Sequence, residues 1–69
     1  MAVKLVIRDL RIQKKLTQQE LAEKTGYSTS FIARIEQNKV SRFNAELLDV
    51  LCEVLECEIK DILIREDDL

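Results

Sequence analysis

Three small hydroxyl residues in a row, Ser28, Thr29 and Ser30, stand just after the only glycine, Gly26, and Arg34 follows one helical turn further along. Phe31, Ile32 and Ile35 supply an i, i+1, i+4 apolar stripe, which predicts a helix running to about Gln37. Its opposite side carries Thr29, Ser30, Ala33, Arg34 and Gln37. Short polar side chains at a helix start allow close approach to base edges in a major groove. An arginine can hold guanine through two hydrogen bonds, a glutamine can do the same for adenine, and a threonine methyl can touch the thymine methyl. Each residue also has a plainer role: Ser28 as an N-cap, Arg34 as a solvated charge.

Other chemistry finds little support. The chain has no histidine, no nucleophile paired with a base and no glycine-rich phosphate loop, so no enzyme activity is expected. Cys52 and Cys57, five apart, would lie too far from each other on one continuous helix for an unstrained disulfide. With no third or fourth ligand beside them, they read as small apolar side chains buried in a reduced protein, and neither a metal nor a cofactor is expected.

The elements that must position these residues are helical. The chain has 69 residues, 46% apolar and 35% charged, with one Gly and no Pro. That composition fits one small helical domain over residues 1–69. No run of about 18 apolar residues is present, and the apolar start is too short for a signal peptide. A small cytoplasmic binding module is the expectation. Charge is split: residues 1–43 hold nine Lys/Arg against four Asp/Glu, and residues 44–69 hold two against nine. An acidic pI near 5.1 therefore conceals a basic first part suited to an anionic partner.

Val3 to Ile7 alternates in part and reads either as a short strand or as the beginning of the first helix. Helical patterning follows from about Arg8 to Lys15. Thr17-Gln18-Gln19-Glu20 is a capping box that starts a second helix, Gln18 to Thr25, ended by Gly26 in a left-handed turn. Ser28 opens the third helix, and Asn38, which tolerates left-handed geometry, ends it. Asn44 caps the longest helix, with Leu47, Leu48, Leu51, Cys52, Val54 and Leu55 on its apolar face. A last short helix carries Ile59, Ile62 and Leu63, and residues 66–69 are expected to fray. The sum is an all-α domain of five helices, with extended ends allowed for.

The run QQELAEKTGYSTSFIARI, residues 18–35 within a motif of about 18–37, resembles the helix-turn-helix of the Cro and phage-repressor (XRE-type) family. Ala22, Gly26, Ile32 and Ile35 occupy the motif's small, glycine and two aliphatic positions. Glu36-Gln37-Asn38-Lys39 is similar to the family's E-N-G-K ending, with Asn38 where glycine is usual. Asp61 before Ile62-Leu63 resembles the close of the family's fifth helix. The resemblance spans roughly residues 7–64 and implies a lambda-repressor-like fold.

It also implies roles. Gln18 matches a phosphate-binding glutamine at the start of the second helix, against a plain role as a good first-turn residue. Ser28, Thr29, Ser30 and Arg34 match base-reading positions. Asn38, Lys39 and Arg42 match a loop that clamps the sugar-phosphate backbone. Arg11 and Glu36 match a partly buried structural salt bridge, although two separate surface charges remain the alternative. Tyr27, Phe31 and Phe43 are expected to pack.

The partner so implied is double-stranded DNA, bound by a homodimer acting as a transcriptional repressor on a palindromic operator, with half-sites about 34 Å apart. No separate dimerisation domain is expected. The candidate dimer surface is Val3 to Ile7 together with Ile59, Ile62, Leu63 and Ile64. The rival reading is an antitoxin, or another module that uses the same fold to contact a protein through its acidic second part.

Overall fold

The computed structural model describes residues 2–66. Strand β1 (Ala2–Leu5) leads into helices α1 (Arg8–Gln13), α2 (Gln18–Thr25), α3 (Thr29–Glu36), α4 (Ala45–Leu55) and α5 (Ile59–Ile62), and strand β2 (Leu63–Glu66) follows. The two strands pair antiparallel, with Val3 opposite Arg65 and Leu5 opposite Leu63. The Val6 N–H extends this junction by donating to the Ile62 carbonyl at 2.6 Å. The early segment is therefore a strand, and Leu63 leaves the last helix to pair with it. The sequence allows for extended ends but does not place β2, because its apolar residues also continue the helical spacing of Ile59 and Ile62. Glu66 belongs to β2, and residues 67–69 of the expected frayed tail lie outside the described residues.

The core gathers Leu5 and Ile7, Leu21 and Ala22 of α2, Ile32 and Ile35 of α3, Leu47, Leu51 and Leu55 of α4, and Ile62 of α5. A fully buried Leu or Ile of this kind contributes about 1.5–3 kcal/mol. Burial of Leu5, Ile7 and Ile62 removes them from the expected dimer surface; Val3, Ile59 and Ile64 remain exposed. Tyr27 and Phe31 do pack, with ring centroids 5.2 Å apart, and Phe43 is half-buried against the core. Helix α1 is the exception, since it buries no residue and leaves Ile12 exposed.

Hydrogen-bonded caps set the helix limits. Thr17 and Glu20 form the capping box, and the Ser28 hydroxyl and the Asn44 side-chain oxygen each accept the amide three residues on. The Asp61 carboxylate accepts the Glu58 N–H at 2.9 Å, which accounts for an acidic residue before Ile62. At the other ends the chain turns left-handed at Lys15, Gly26, Asn38 and Glu56, with φ between 53° and 83°. After Lys15, Asn38 and Glu56 the next amide reaches back five residues, Leu16 to Arg11, Lys39 to Arg34 and Cys57 to Cys52. These are Schellman closures, which satisfy carbonyls left open at a helix end. Gly26 and Asn38 were legible as stops, whereas Lys15 and Glu56 are side chains with no preference for that region.

Two substitutions test this backbone account by urea unfolding. Nothing lies within 4 Å of where a Cβ on Gly26 would sit, so Gly26→Ala meets dihedral strain alone. It should lower stability by about 1–2 kcal/mol. Lys15→Gly should raise it by about 0.5 kcal/mol, because relief of the left-handed strain exceeds the added chain entropy.

Candidate nucleic-acid interface

Helix α3 presents its two sides as its spacing requires. Ile32 and Ile35 are buried, while Thr29, Ser30, Arg34 and Gln37 are exposed and Ala33 is half-buried. Ser28 is exposed, and its hydroxyl accepts the Phe31 N–H at 3.0 Å, so the capping role is real. Asn38, Lys39 and Arg42 are exposed along the segment that leads to α4. The Schellman closure fixes the start of that segment, with the Lys39 N–H 2.9 Å from the Arg34 carbonyl. The sequence-predicted contact residues thus fall on α3 and the loop that continues it, apart from Gln18 at the start of α2.

Arg11 and Glu36 form the expected pair. Arg11 Nε donates to Glu36 Oε2 at 2.6 Å and Nη2 donates to Oε1 at 3.0 Å. The side chains are only 12% and 5% exposed, so this is no loose surface contact. Arg11 Nη1 donates to the Leu16 carbonyl at 2.8 Å. Gln18 Nε2 also reaches Glu36 Oε1, at 3.1 Å. That third link has no local signal, because nothing in an 18-residue separation tells that two side chains meet. A second ion pair, Lys14 with Glu56 at 2.9 Å, is exposed and joins the end of α1 to the end of α4.

Burial works against the charge on Glu36, but hydrogen bonds from Arg11 and Gln18 outweigh it and hold the carboxyl below its ordinary range. A carboxyl depressed in the folded state stabilises the fold above its unfolded pKa and loses that stabilisation as pH falls through its folded pKa. Cys52 and Cys57 are half-buried, not enclosed as expected, and Cys57 lies beyond the end of α4. Burial, and next the neighbouring Cys52 thiol, push Cys57 up to about 11, so it stays protonated at neutral pH. Among the described residues no group of three or more His, Cys, Asp or Glu could hold a metal ion. No described helix is long and apolar enough to cross a membrane. Unfolding free energy, followed by urea titration, should hold from neutrality down to the unfolded carboxyl value near 4.5 as far as Glu36 is concerned, and fall as pH drops below it. Glu36→Gln should flatten part of that slope.

Comparison with known proteins agrees with this geometry. The Cro/C1-type HTH DNA-binding domain matches residues 6–68. The fold is similar to the clp gene regulator ClgR from Corynebacterium glutamicum, at 29% identity and TM-score 0.72, over 80% of this chain and 57% of that one. It is similar to SinR, a master regulator for biofilm formation solved in complex with DNA, at 30% identity and TM-score 0.73, over 78% of this chain and 86% of that one. The transcriptional regulator VanUg matches at 25% identity and TM-score 0.70, over 93% of this chain and 87% of that one. No curated protein sequence matches the chain. Buried Ile32 and Ile35 behind an exposed polar α3, Gly26 in the turn before it and the match over nearly all the residues lead to one conclusion: the chain belongs to the family of Cro/C1-type helix-turn-helix DNA-binding domains.

Proposed function

We propose that this protein is a sequence-specific regulator of transcription that binds double-stranded DNA through α3. It acts in the cytoplasm as a homodimeric repressor on a palindromic operator. The observation that carries the reading is the exposed row Thr29, Ser30 and Arg34 on a helix whose other side is locked into the core by Ile32 and Ile35. A rigid backing lets short side chains meet base edges in a fixed register. Gln18, Asn38, Lys39 and Arg42 supply phosphate contacts, and Ser28 adds a contact beside its capping role. SinR, of similar fold, is a DNA-bound regulator, which favours the same partner here.

Charge and exposure support the assembly. The basic residues concentrate before Asn44 and the acidic ones after it, so a DNA-facing side and an opposed acidic side reconcile the low pI with an anionic ligand. Val3, Ile59 and Ile64, on β1, α5 and β2, are exposed apolar residues outside α2 and α3 and are available to a second copy. Occupation of a site overlapping a promoter then blocks transcription without covalent chemistry.

Selection of bound fragments from a random duplex pool at near-physiological salt tests this directly. An inverted repeat with half-sites about one helical turn apart is the expected outcome. Weak, salt-sensitive binding without enrichment would instead favour the protein-binding rival. On the enriched site Arg34→Ala should cost about 1–3 kcal/mol and relax one base position, whereas an equal loss on random duplex would make Arg34 a phosphate contact.

A further inference from the structure

We infer that Glu36 is a positioning residue for DNA binding: it holds the Gln18 side-chain amide by its nitrogen and so orients the remaining N–H of that amide for a phosphate oxygen. The inference rests on the DNA-binding reading and deepens it. An ionised carboxylate only accepts hydrogen bonds, so the end of the Gln18 amide that faces Glu36 Oε1, 3.1 Å away, is the nitrogen. One of its two hydrogens is thereby used. A phosphate oxygen also only accepts, which leaves the second N–H as the group through which this amide can bind it.

Glu36 is itself held. Arg11 grips both of its carboxylate oxygens, and the same guanidinium reaches the Leu16 carbonyl just before α2 begins. The Gln18 amide is therefore tethered through a carboxylate that two elements of the scaffold fix. A free glutamine loses side-chain freedom when it binds a ligand; a tethered one has lost it on folding already. A carboxylate near DNA would by itself repel phosphate, and Arg11 neutralises it. Because Glu36 is the last residue of α3, the phosphate contact at the start of α2 and the register of α3 depend on one carboxylate.

Glu36→Gln and Glu36→Met test the assignment. The two replacements carry the same charge and similar length, but only glutamine keeps an oxygen acceptor for the Gln18 amide. The affinity of the 69-residue chain for a fluorescein-labelled, mixed-sequence duplex about two helical turns long is measured by anisotropy at low salt, with and without Gln18→Ala. Gln18→Ala should weaken binding about fivefold in the wild-type and Glu36→Gln backgrounds. In the Glu36→Met background its cost should fall below about twofold. A purely structural role for Glu36 would lower the melting temperature without changing what Gln18→Ala costs. If Glu36→Met melts too low to assay, Arg11→Met/Glu36→Met removes the stranded charge and serves as the same background. An equal cost of Gln18→Ala in every background, or no cost in the wild type, overturns the inference while leaving DNA binding in place. A wild-type chain that binds no duplex overturns the DNA-binding reading and this inference together.

Discussion

The Arg11 guanidinium is the point at which α1, the α1–α2 turn and the end of α3 are joined. Helix α1 buries no side chain fully and meets the core through half-buried Leu10, so packing holds it less than it holds the other helices. Arg11 supplies what packing does not, through two hydrogen bonds to Glu36 at the end of α3 and one to the Leu16 carbonyl before α2. Loss of either partner would leave the other charge part-buried and uncompensated, which costs more than the net worth of the pair. The pair matters less for its net worth than for its geometry. A planar guanidinium admits few arrangements of two oxygens and a carbonyl, and so it fixes α1 and α3 relative to the α1–α2 turn.

From that anchor outward, stiffness is distributed by helix ends. Left-handed residues close four helices, and each turns the chain sharply out of its helix. The closure after Asn38 matters most for function, since it launches Lys39 and Arg42 from the end of α3. Exposed Thr29 and Arg34 share one helix with buried Ile32 and Ile35, and the Lys39 amide ties the start of the following segment to that helix. The charge division of the chain follows the same plan. The strongly acidic stretch begins at α4, after the helices that the proposed DNA contact uses, so the basic residues of a chain of acidic pI are concentrated in the part that carries α2 and α3.

Much of the candidate site was legible in the residues themselves. A capping box at Thr17 and Glu20, glycine at 26, three hydroxyl residues and an isoleucine pair at helical spacing are local signals, each tied to hydrogen bonds or dihedrals within a few residues. The Arg11–Glu36 pair was legible only through resemblance to a family, because no local rule connects residues 25 apart. The link from Glu36 to Gln18 was not legible at all. Cys52 and Cys57 were misjudged as enclosed since their small size says nothing of how closely α5 covers the end of α4.

The sequence alone determined where α2, α3 and α4 begin, which side of each is apolar, and that α3 carries short polar groups backed by isoleucines, since these follow from contacts within a turn or two of the chain. Tertiary structure decided the rest. It drew Val3 to Ile7 into a strand and core edge, because β2 offered backbone partners and Leu5 and Ile7 found burial. It took Ile62 out of the surface and left Ile59 and Ile64 on it. It also brought Gln18, Glu36 and Arg11 together at hydrogen-bond distance. Such encounters depend on how helices cross, and crossing is set by the packing of the whole core, which no short stretch of residues specifies.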